Sequence, residues 1–335
     1  MAIRPGLGID LGTANTVVYH PQRGIVLDEP SVMIVRNGDE RAPVVVGRAA
    51  RDMMGRTPSG MSVVRPLQDG VITDLQAARA FVVAILRRMD TRVWEKIRPR
   101  AVIGVPAGAT TLERQALLEA ASEAGLGRVD LVPEPIAGAL GAGLDPMLRT
   151  AQMVVDIGGG TSEITAFCFG GILTSRSCRV AGDEMTQAVL NHLRAEHQIL
   201  VGELTAEEAK MALSATGEVT IEGRDAATGR PRRVNLKAEE LASALAPTVD
   251  TVVEALAATL TEDLPPQAVT DIMRDGVVAF GGGALLAGFA ARMESELGFT
   301  VRIADRPLTC VAEGAALCLG RPEVLRGFGG LAAAA

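Results

Sequence analysis

The fold is decided by the stretch GIDLGTANT, residues 8–16, and by a similar stretch, VDIGGGTS, residues 155–162. In each, a short apolar run leads to an aspartate, Asp10 or Asp156, and then to a glycine-rich turn. An alternating run follows each turn, so both stretches predict a strand, a tight turn and a second strand. A single hairpin of this kind is usually only a turn. Its repetition in the second half of the chain predicts two related units.

The residue types of the two turns indicate phosphate binding. Backbone N–H groups of a glycine-rich turn can approach an anion closely because no Cβ stands in the way. A carboxylate just before the turn would repel phosphate unless a cation lay between them, so Asp10 and Asp156 are predicted to hold Mg²⁺, through its waters. The phosphate-binding candidates are Gly12, Thr13, Ala14 and Asn15 in the first turn and Gly158, Gly159, Gly160 and Thr161 in the second.

A third glycine run follows the apolar residues 277–280. A glycine-rich connection from a strand to a helix can bring backbone against a bound ligand, here an adenine or a ribose. The candidates are Gly281, Gly282, Gly283 and Ala284.

With these three runs in place, the chain resembles the superfamily of actin, Hsp70 and sugar kinases, and within it the MreB group of bacterial actins. Further motifs of that group occur in order between residues 7 and 319. They are GIVLDEPSV (24–32), MGRTP (54–58), RPLQDGVITD (65–74), EPIAGALGAGL (134–144), VGELTAEEAK (201–210), GGGALL (281–286) and PLTCVAEGAA (307–316).

The resemblance implies an α/β, actin-like ATPase fold in which two duplicated RNase H-like domains flank a nucleotide cleft. Domain I is expected to comprise residues 1–146 and 309–335, with an outer subdomain at about 33–65. Domain II is expected to comprise residues 147–308, with an outer subdomain at about 182–245. Strands and helices that alternate along the chain agree with α/β layers.

The catalytic residues are implied by the same resemblance. In the family, a glutamate of the EPxAAxxGAG segment faces the γ-phosphate and helps to orient the attacking water, which gives that role to Glu134. Thr161 or Ser162 could hold the same water. From sequence alone, the simpler interpretation of Glu134 is a carboxylate at a helix N-terminus, where the helix dipole favours it; the resemblance is what favours the catalytic role.

Glu207 and Lys210 are three residues apart and lie on one face of a predicted helix, which is capped by Thr205 and Glu208. The resemblance assigns them to the ribose and adenine of the nucleotide. The simpler interpretation is a solvated ion pair between neighbouring turns.

Composition limits the class of protein. The chain has 335 residues, which is enough for two domains, and its net charge of −7 gives no general reason to expect nucleic-acid binding. The four cysteines, Cys168, Cys178, Cys310 and Cys318, lack metal-ligand spacing, and Cys310 and Cys318, which lie in apolar surroundings, are predicted to be small buried residues. No signal sequence or membrane-spanning apolar run is apparent, so a cytoplasmic protein is expected.

Membrane contact is predicted at Trp94, the only tryptophan. Residues 87–100 contain six basic and two acidic side chains around it. A tryptophan beside basic residues is typical of a membrane interface with anionic headgroups. The alternative is a ring packed beneath a loop with a solvated basic face.

The predicted function is that of a bacterial actin: ATP binding with Mg²⁺, slow hydrolysis, and head-to-tail filaments, paired and peripheral at the inner face of the cell membrane. The resemblance implies cell-wall elongation proteins as partners and rod shape as the outcome. A non-hydrolysing scaffold and a small-molecule kinase remain alternatives, while a chaperone-type ATPase would need a further substrate domain. Ala181, Met185, Thr186 and Phe280 depart from the usual pattern of the group.

Overall fold

The computed structural model describes the chain in five stretches, residues 6–39, 41–68, 71–72, 74–89 and 98–329. The strands of the first half are β1 (Gly6–Leu11), β2 (Asn15–His20), β3 (Gly24–Pro30), β4 (Met33–Arg36), β5 (Val45–Val46), β6 (Met61–Val64), β7 (Leu67–Gln68), β8 (Val71–Ile72), β9 (Arg100–Val105) and β10 (Val129–Pro133). Its helices are α1 (Arg48–Arg51), α2 (Leu75–Leu86), α3 (Thr111–Glu123) and α4 (Glu134–Gly141).

The second half begins with β11. Its strands are β11 (Gln152–Ile157), β12 (Ser162–Cys168), β13 (Gly171–Cys178), β14 (Ile199–Leu200), β15 (Glu218–Asp225), β16 (Pro231–Lys237), β17 (Val277–Phe280) and β18 (Val301–Ile303). The helices that follow β11 are α5 (Gly182–Ala195), α6 (Glu203–Thr216), α7 (Ala238–Glu262), α8 (Pro266–Asp275), α9 (Phe289–Leu297), α10 (Cys310–Cys318) and α11 (Pro322–Phe328).

The two halves contain sheets with the same plan. The first has the strand order β3-β2-β1-β9-β10 and the second β13-β12-β11-β17-β18. In both, the first three strands in chain order form antiparallel pairs, and two further strands add in parallel. The predicted α/β fold with a duplicated domain is therefore confirmed, and each glycine-rich turn connects the first two strands of its sheet.

Each half also carries a smaller sheet outside the main one. In the first half, β5-β4-β6 packs with α1 around Val32, Ile34 and Ala50. In the second half, the small sheet has the order β14-β15-β16, and its apolar face contributes Ile221 and Leu236 to the large core of that half. β14 leads into α6 and β16 leads directly into α7, so this sheet is held between helices that continue into the main body.

Helix starts follow local chemistry in one case and not in another. Thr110 caps α3, where its hydroxyl accepts from the Glu113 N–H and the Glu113 carboxylate accepts from the Thr110 N–H, as the Thr-x-x-Glu pattern predicts. The prediction that Thr205 and Glu208 cap the next such helix is wrong. α6 already begins at Glu203, with Gly202 as its N-cap. The earlier start suits Glu203, whose carboxylate is favoured by the helix dipole in the first turn and pairs with Arg65.

The chain returns to the first half through α10, which packs against α4 and β1. Glycine makes this contact close. A Cβ on Gly141 would lie 1.9 Å from the Cys310 carbonyl oxygen, and a Cβ on Gly314 would lie 1.7 Å from the Ala137 carbonyl oxygen. α4 and α10 therefore touch backbone to backbone, and their core, with β17 residues, lies between the two halves.

Phe280 belongs to this central core and is fully buried. A Cβ on Gly138 of α4 would lie 2.1 Å from the Phe280 Cζ. The large residue at position 280 therefore fills the space that the missing side chain of Gly138 leaves, which accounts for this departure from the usual pattern.

Among the described residues, α7 is the one helix that is long and apolar enough to cross a membrane, judged by length and composition. The expectation of no such run therefore needs correction. A core helix passes the same test, and α7 contributes Leu241, Leu245, Val252, Val253 and Leu256 to the core of the second half.

Candidate functional site

A cavity of about 580 Å³ lies between the two halves, with both glycine-rich turns at its wall. Of the predicted site residues, it is lined by Asp10, Gly12, Thr13, Ala14, Asn15, Glu134, Asp156, Gly158, Gly159, Thr161, Glu207, Lys210, Gly281, Gly282 and Gly283. One cavity thus brings together predicted residues as far apart in sequence as Asp10 and Gly283, which are separated by 273 positions.

The first turn is held by Ser31, which follows β3. The Ser31 hydroxyl donates to the Gly12 carbonyl at 2.6 Å, and its backbone N–H donates to the Ala14 carbonyl at 2.9 Å. The carbonyl groups of Gly12 and Ala14 therefore already accept hydrogen bonds within the protein. A Cβ on Gly12 would lie 2.9 Å from the Asn15 carbonyl, so the turn is too tight for a larger residue there.

The second turn is held by its own backbone and by the start of α5. The Gly158 N–H donates to the Thr161 carbonyl at 2.9 Å, while the N–H groups of Gly182 and Asp183 donate to the carbonyls of Gly158 and Gly159. The tips of the two turns meet, since a Cβ on Gly159 would lie 3.0 Å from that of Ala14. The two halves are thus in contact across the cleft.

Four carboxyl groups converge on the cavity: Asp10, Glu134, Asp156 and Glu163. Burial raises the pKa of Asp10 to about 7. The pKa of Asp156 is raised well above its usual range by burial and by the charges of Asp10 and Glu163, and that of Glu134 by burial and by the other three carboxylates. Such a group of carboxylates is costly in ionised form unless a cation compensates it.

Glu163 was not among the sequence predictions. Its side chain is 5 % exposed, burial raises its pKa to about 7, and its Oε2 is buried without a hydrogen-bond partner among the described residues. It lies directly opposite Asp156 in the β11–β12 pair. Because paired residues of antiparallel strands project to the same face, the hairpin itself contained the signal that could have identified Glu163.

Three predicted site residues do not line the cavity: Gly160, Ser162 and Ala284. The Ser162 side chain is fully buried, and its hydroxyl donates to the Val180 carbonyl at 2.7 Å. Its hydroxyl hydrogen is therefore used within the protein and does not point into the cavity. Thr161, by contrast, does line the cavity.

Glu207 and Lys210 form an ion pair of 2.8 Å, but it is not a solvated one, because Lys210 is buried. The Lys210 ammonium also donates to the Gly182 carbonyl at 2.7 Å and to the Thr186 hydroxyl at 2.9 Å. The Thr186 hydroxyl in turn contacts the Glu207 carboxylate. Thr186, a departure from the usual pattern of the group, thus fixes the two predicted nucleoside residues to α5.

The glycine run follows β17 and forms a 3₁₀ turn, Gly282–Leu285, before α9 begins. Gly281 has a φ of 83°, and a Cβ there would lie 2.4 Å from the Ile157 carbonyl and 2.6 Å from Asp156 Oδ1. Glycine is required at this position both for its conformation and for its contact with the second turn.

An ion pair links the two halves beside the cavity. Arg65, at the end of the first outer sheet, contacts the Glu203 carboxylate at the start of α6, and its guanidinium lies 3.9 Å from the Asp183 carboxylate. Burial raises the pKa of Asp183 to about 6, although the charge of Arg65 opposes this rise. No local signal in the sequence predicts this pairing.

The family model described as MreB/Mbl protein matches residues 4–326. The chain belongs to the MreB/Mbl family. It is 39% identical over 317 residues to the cell shape-determining protein MreB of Escherichia coli (strain K12), covering 92% of this chain and 91% of that protein. It is 37% identical over 326 residues to the cell shape-determining protein Mbl of Bacillus subtilis (strain 168), covering 95% and 97%. The predicted MreB resemblance is thereby confirmed.

Solved structures show the same relationship. MreB5 of Spiroplasma citri bound to AMPPNP has a TM-score of 0.85 and 32% identity, covering 98% of this chain and 100% of that one. A double helical filament of MamK has a TM-score of 0.77 and 25% identity, covering 95% and 99%. The chain is therefore a member of an actin-like, filament-forming family of cytoskeletal cell-shape proteins.

Proposed function

We propose that the chain binds ATP with Mg²⁺ in the cleft, hydrolyses the ATP slowly, and assembles into head-to-tail filaments. The observation that carries the proposal is the convergence of two glycine-rich turns and four carboxyl groups, contributed by both halves, on one cavity. The S. citri relatives bound to AMPPNP and to ADP support a nucleotide as the ligand. Closure around ATP would favour subunit contacts, and a head-to-tail contact that does not close into a ring gives a filament.

Magnesium suits the residues present. Burial raises the pKa of all four carboxyl groups, and the charges of their neighbours raise those of Glu134 and Asp156 further. Because Oε2 of Glu163 also lacks a partner among the described residues, the cluster offers oxygen ligands in excess. Asp10 and Asp156 would hold the ion, which would neutralise charge on the phosphate oxygens when bound.

Different residues of the chain would then bind the phosphates, contact the nucleoside and orient the attacking water. Backbone N–H groups of the two turns would bind the phosphates, and Glu207, Lys210 and the glycine run would contact the nucleoside. Glu134, at the start of α4, would orient the attacking water and accept its proton, with Thr161 beside it. Ser162 would hold the turn in place through its bond to Val180.

The test is filament pelleting and negative-stain microscopy with ATP–Mg²⁺, with ADP and without nucleotide, while phosphate release is followed. We expect Glu134→Ala to leave ATP binding nearly intact and to slow hydrolysis roughly tenfold or more. The exposed Glu119→Ala provides a matched control. Unchanged phosphate release by Glu134→Ala would show that Glu134 does not orient the attacking water. Filaments without any hydrolysis would favour the scaffold, and phosphate transfer to a small acceptor would favour a kinase.

We further propose that the filaments lie at the inner face of the membrane and organise cell-wall synthesis through elongation proteins. Trp94, the residue predicted to contact lipid, lies outside the described residues. Liposome flotation with the wild type and with Trp94→Ala tests this part. Equal binding of the wild type and Trp94→Ala to anionic vesicles would show that Trp94 does not contribute to membrane binding. Neutral vesicles are the control that tests whether binding requires anionic headgroups.

A further inference from the structure

Two of the chain's three histidines meet at a single carboxylate, and none of these three residues lines the cavity between the two halves. Nε2 of His192 lies 2.7 Å from Oε1 of Glu240, and Nε2 of His197 lies 2.5 Å from the same oxygen. One ligand atom from each of the three residues lies within 4.8 Å of the others. Two imidazoles and a carboxylate are a ligand set found at zinc sites that keep an open position.

We propose that His192, His197 and Glu240 bind a divalent zinc ion. Zinc bonds to histidine nitrogen and carboxylate oxygen of about 2.0–2.1 Å, in tetrahedral geometry, separate neighbouring ligand atoms by about 3.3 Å. The two histidine–carboxylate distances are shorter than this separation, so small side-chain movements would open space for the ion. Nitrogen ligands favour zinc and similar transition metals over Mg²⁺ or Ca²⁺, which prefer oxygen.

The backbone brings the three ligands together from separate elements. His192 lies in the last turn of α5, His197 in the connection to β14, and Glu240 in the first turn of α7. Gln198, directly after His197, has a φ of 52° and is one of two non-glycine residues with positive φ in the described part of the chain. Its carbonyl accepts from the Ala226 N–H at 2.8 Å, which holds the strained conformation in place.

The side chains are packed but reachable. Their exposed fractions are 16% for His192, 22% for His197 and 35% for Glu240, so an ion and a water as fourth ligand can enter from solvent. The site would fasten α5 to α7 where the chain enters and leaves the second outer sheet. This inference does not depend on the proposed nucleotide chemistry.

The experiment uses the full chain without a polyhistidine tag, freed of metal with a chelator. Zn²⁺ is then added, unbound ion is removed by dialysis, and the zinc content of the protein is measured. Co²⁺ is added to a second metal-free sample as a spectroscopic probe whose visible bands report four-coordinate geometry. We expect one zinc ion per chain in the wild type and in the control Glu239→Gln, which alters the exposed neighbouring carboxylate. Glu240→Gln and His197→Gln should weaken Zn²⁺ binding on the order of 100-fold, since even outer-shell changes cost 10–100-fold.

Circular dichroism of the metal-free variants establishes that they are folded, and metal-dependent thermal stabilisation offers a second readout. Zn²⁺ should raise the melting temperature of the wild type and of Glu239→Gln, but not that of Glu240→Gln. The proposal is overturned if the wild type retains no zinc. It is also overturned if Glu240→Gln binds zinc as tightly as the wild type, because the ion would then lie elsewhere, for example at a cysteine.

Discussion

Glu163 offers a sharp test of the electrostatics of the cleft. Its pKa rises from an ordinary value of 4.5 to about 7 because the carboxyl group is buried. The folded protein therefore holds this proton more tightly than the unfolded chain does, and the contribution of Glu163 to stability falls as the pH rises through this window. In the protein without nucleotide or Mg²⁺, the ionised form should cost about 3 kcal/mol at pH 8 and less than about 1 kcal/mol at pH 5.

Glu163→Gln removes this ionisation while it nearly keeps the shape of the side chain. The amide atom that replaces Oε2 would also lack a partner among the described residues, but that cost is the same at both pH values. The gain in unfolding free energy of the variant over the wild type should therefore be larger at pH 8 than at pH 5, by about 2 kcal/mol. Urea titrations in a chelating buffer at both pH values measure the difference, with the exposed Glu254→Gln on α7 as control.

Two results would refute this reasoning. An equal effect of Glu163→Gln at pH 5 and pH 8 would mean that the carboxyl group titrates as it does in water. A similar pH-dependent gain in Glu254→Gln would mean that net charge, and not burial in the cleft, sets the trend. Addition of ATP–Mg²⁺ should reduce the advantage of Glu163→Gln, since a cation near the cluster lowers the pKa of each carboxyl group.

Three further predictions concern the contacts around the cleft. Lys210→Met should weaken the binding of a fluorescent ATP analogue at least roughly tenfold, because it removes a buried charged donor beside the predicted nucleoside site. The control Lys237→Met, at an exposed residue, should leave binding unchanged, and an unaltered dissociation constant for Lys210→Met would refute the assignment. Arg65→Met should speed nucleotide release in stopped-flow experiments by a few fold, since exposed ion pairs contribute about 1 kcal/mol or less. An unchanged release rate would show that the contact between Arg65 and Glu203 does not hold the cleft closed. Gly138→Ala should lower the free energy of unfolding by about 1–3 kcal/mol through overpacking against the Phe280 ring. Adding Phe280→Leu to this variant should recover part of the lost stability, and strictly additive effects of the two substitutions would contradict the contact.

Local sequence signals predict several elements around the cleft correctly. The two hairpins, the capping box at Thr110 and the start of α4 at Glu134 all follow from signals within a few residues, and the structure has each of them. One local signal was misleading, since the Thr205 pattern predicted a cap at what is the third residue of α6. The helix begins at Glu203, which pairs with Arg65 of the first half, and the local pattern does not contain this contact.

The sequence by itself determined the family, the duplicated fold and most of the residues that face the cavity. It did so because strand, turn and glycine signals are short-range and because the motifs occur in a fixed order. The tertiary structure alone decided that Thr161 faces the cavity while Ser162 is buried against Val180, since that depends on strand register. It also decided the meeting of His192 with Glu240, 48 residues away, because such contacts arise only when separate helices pack.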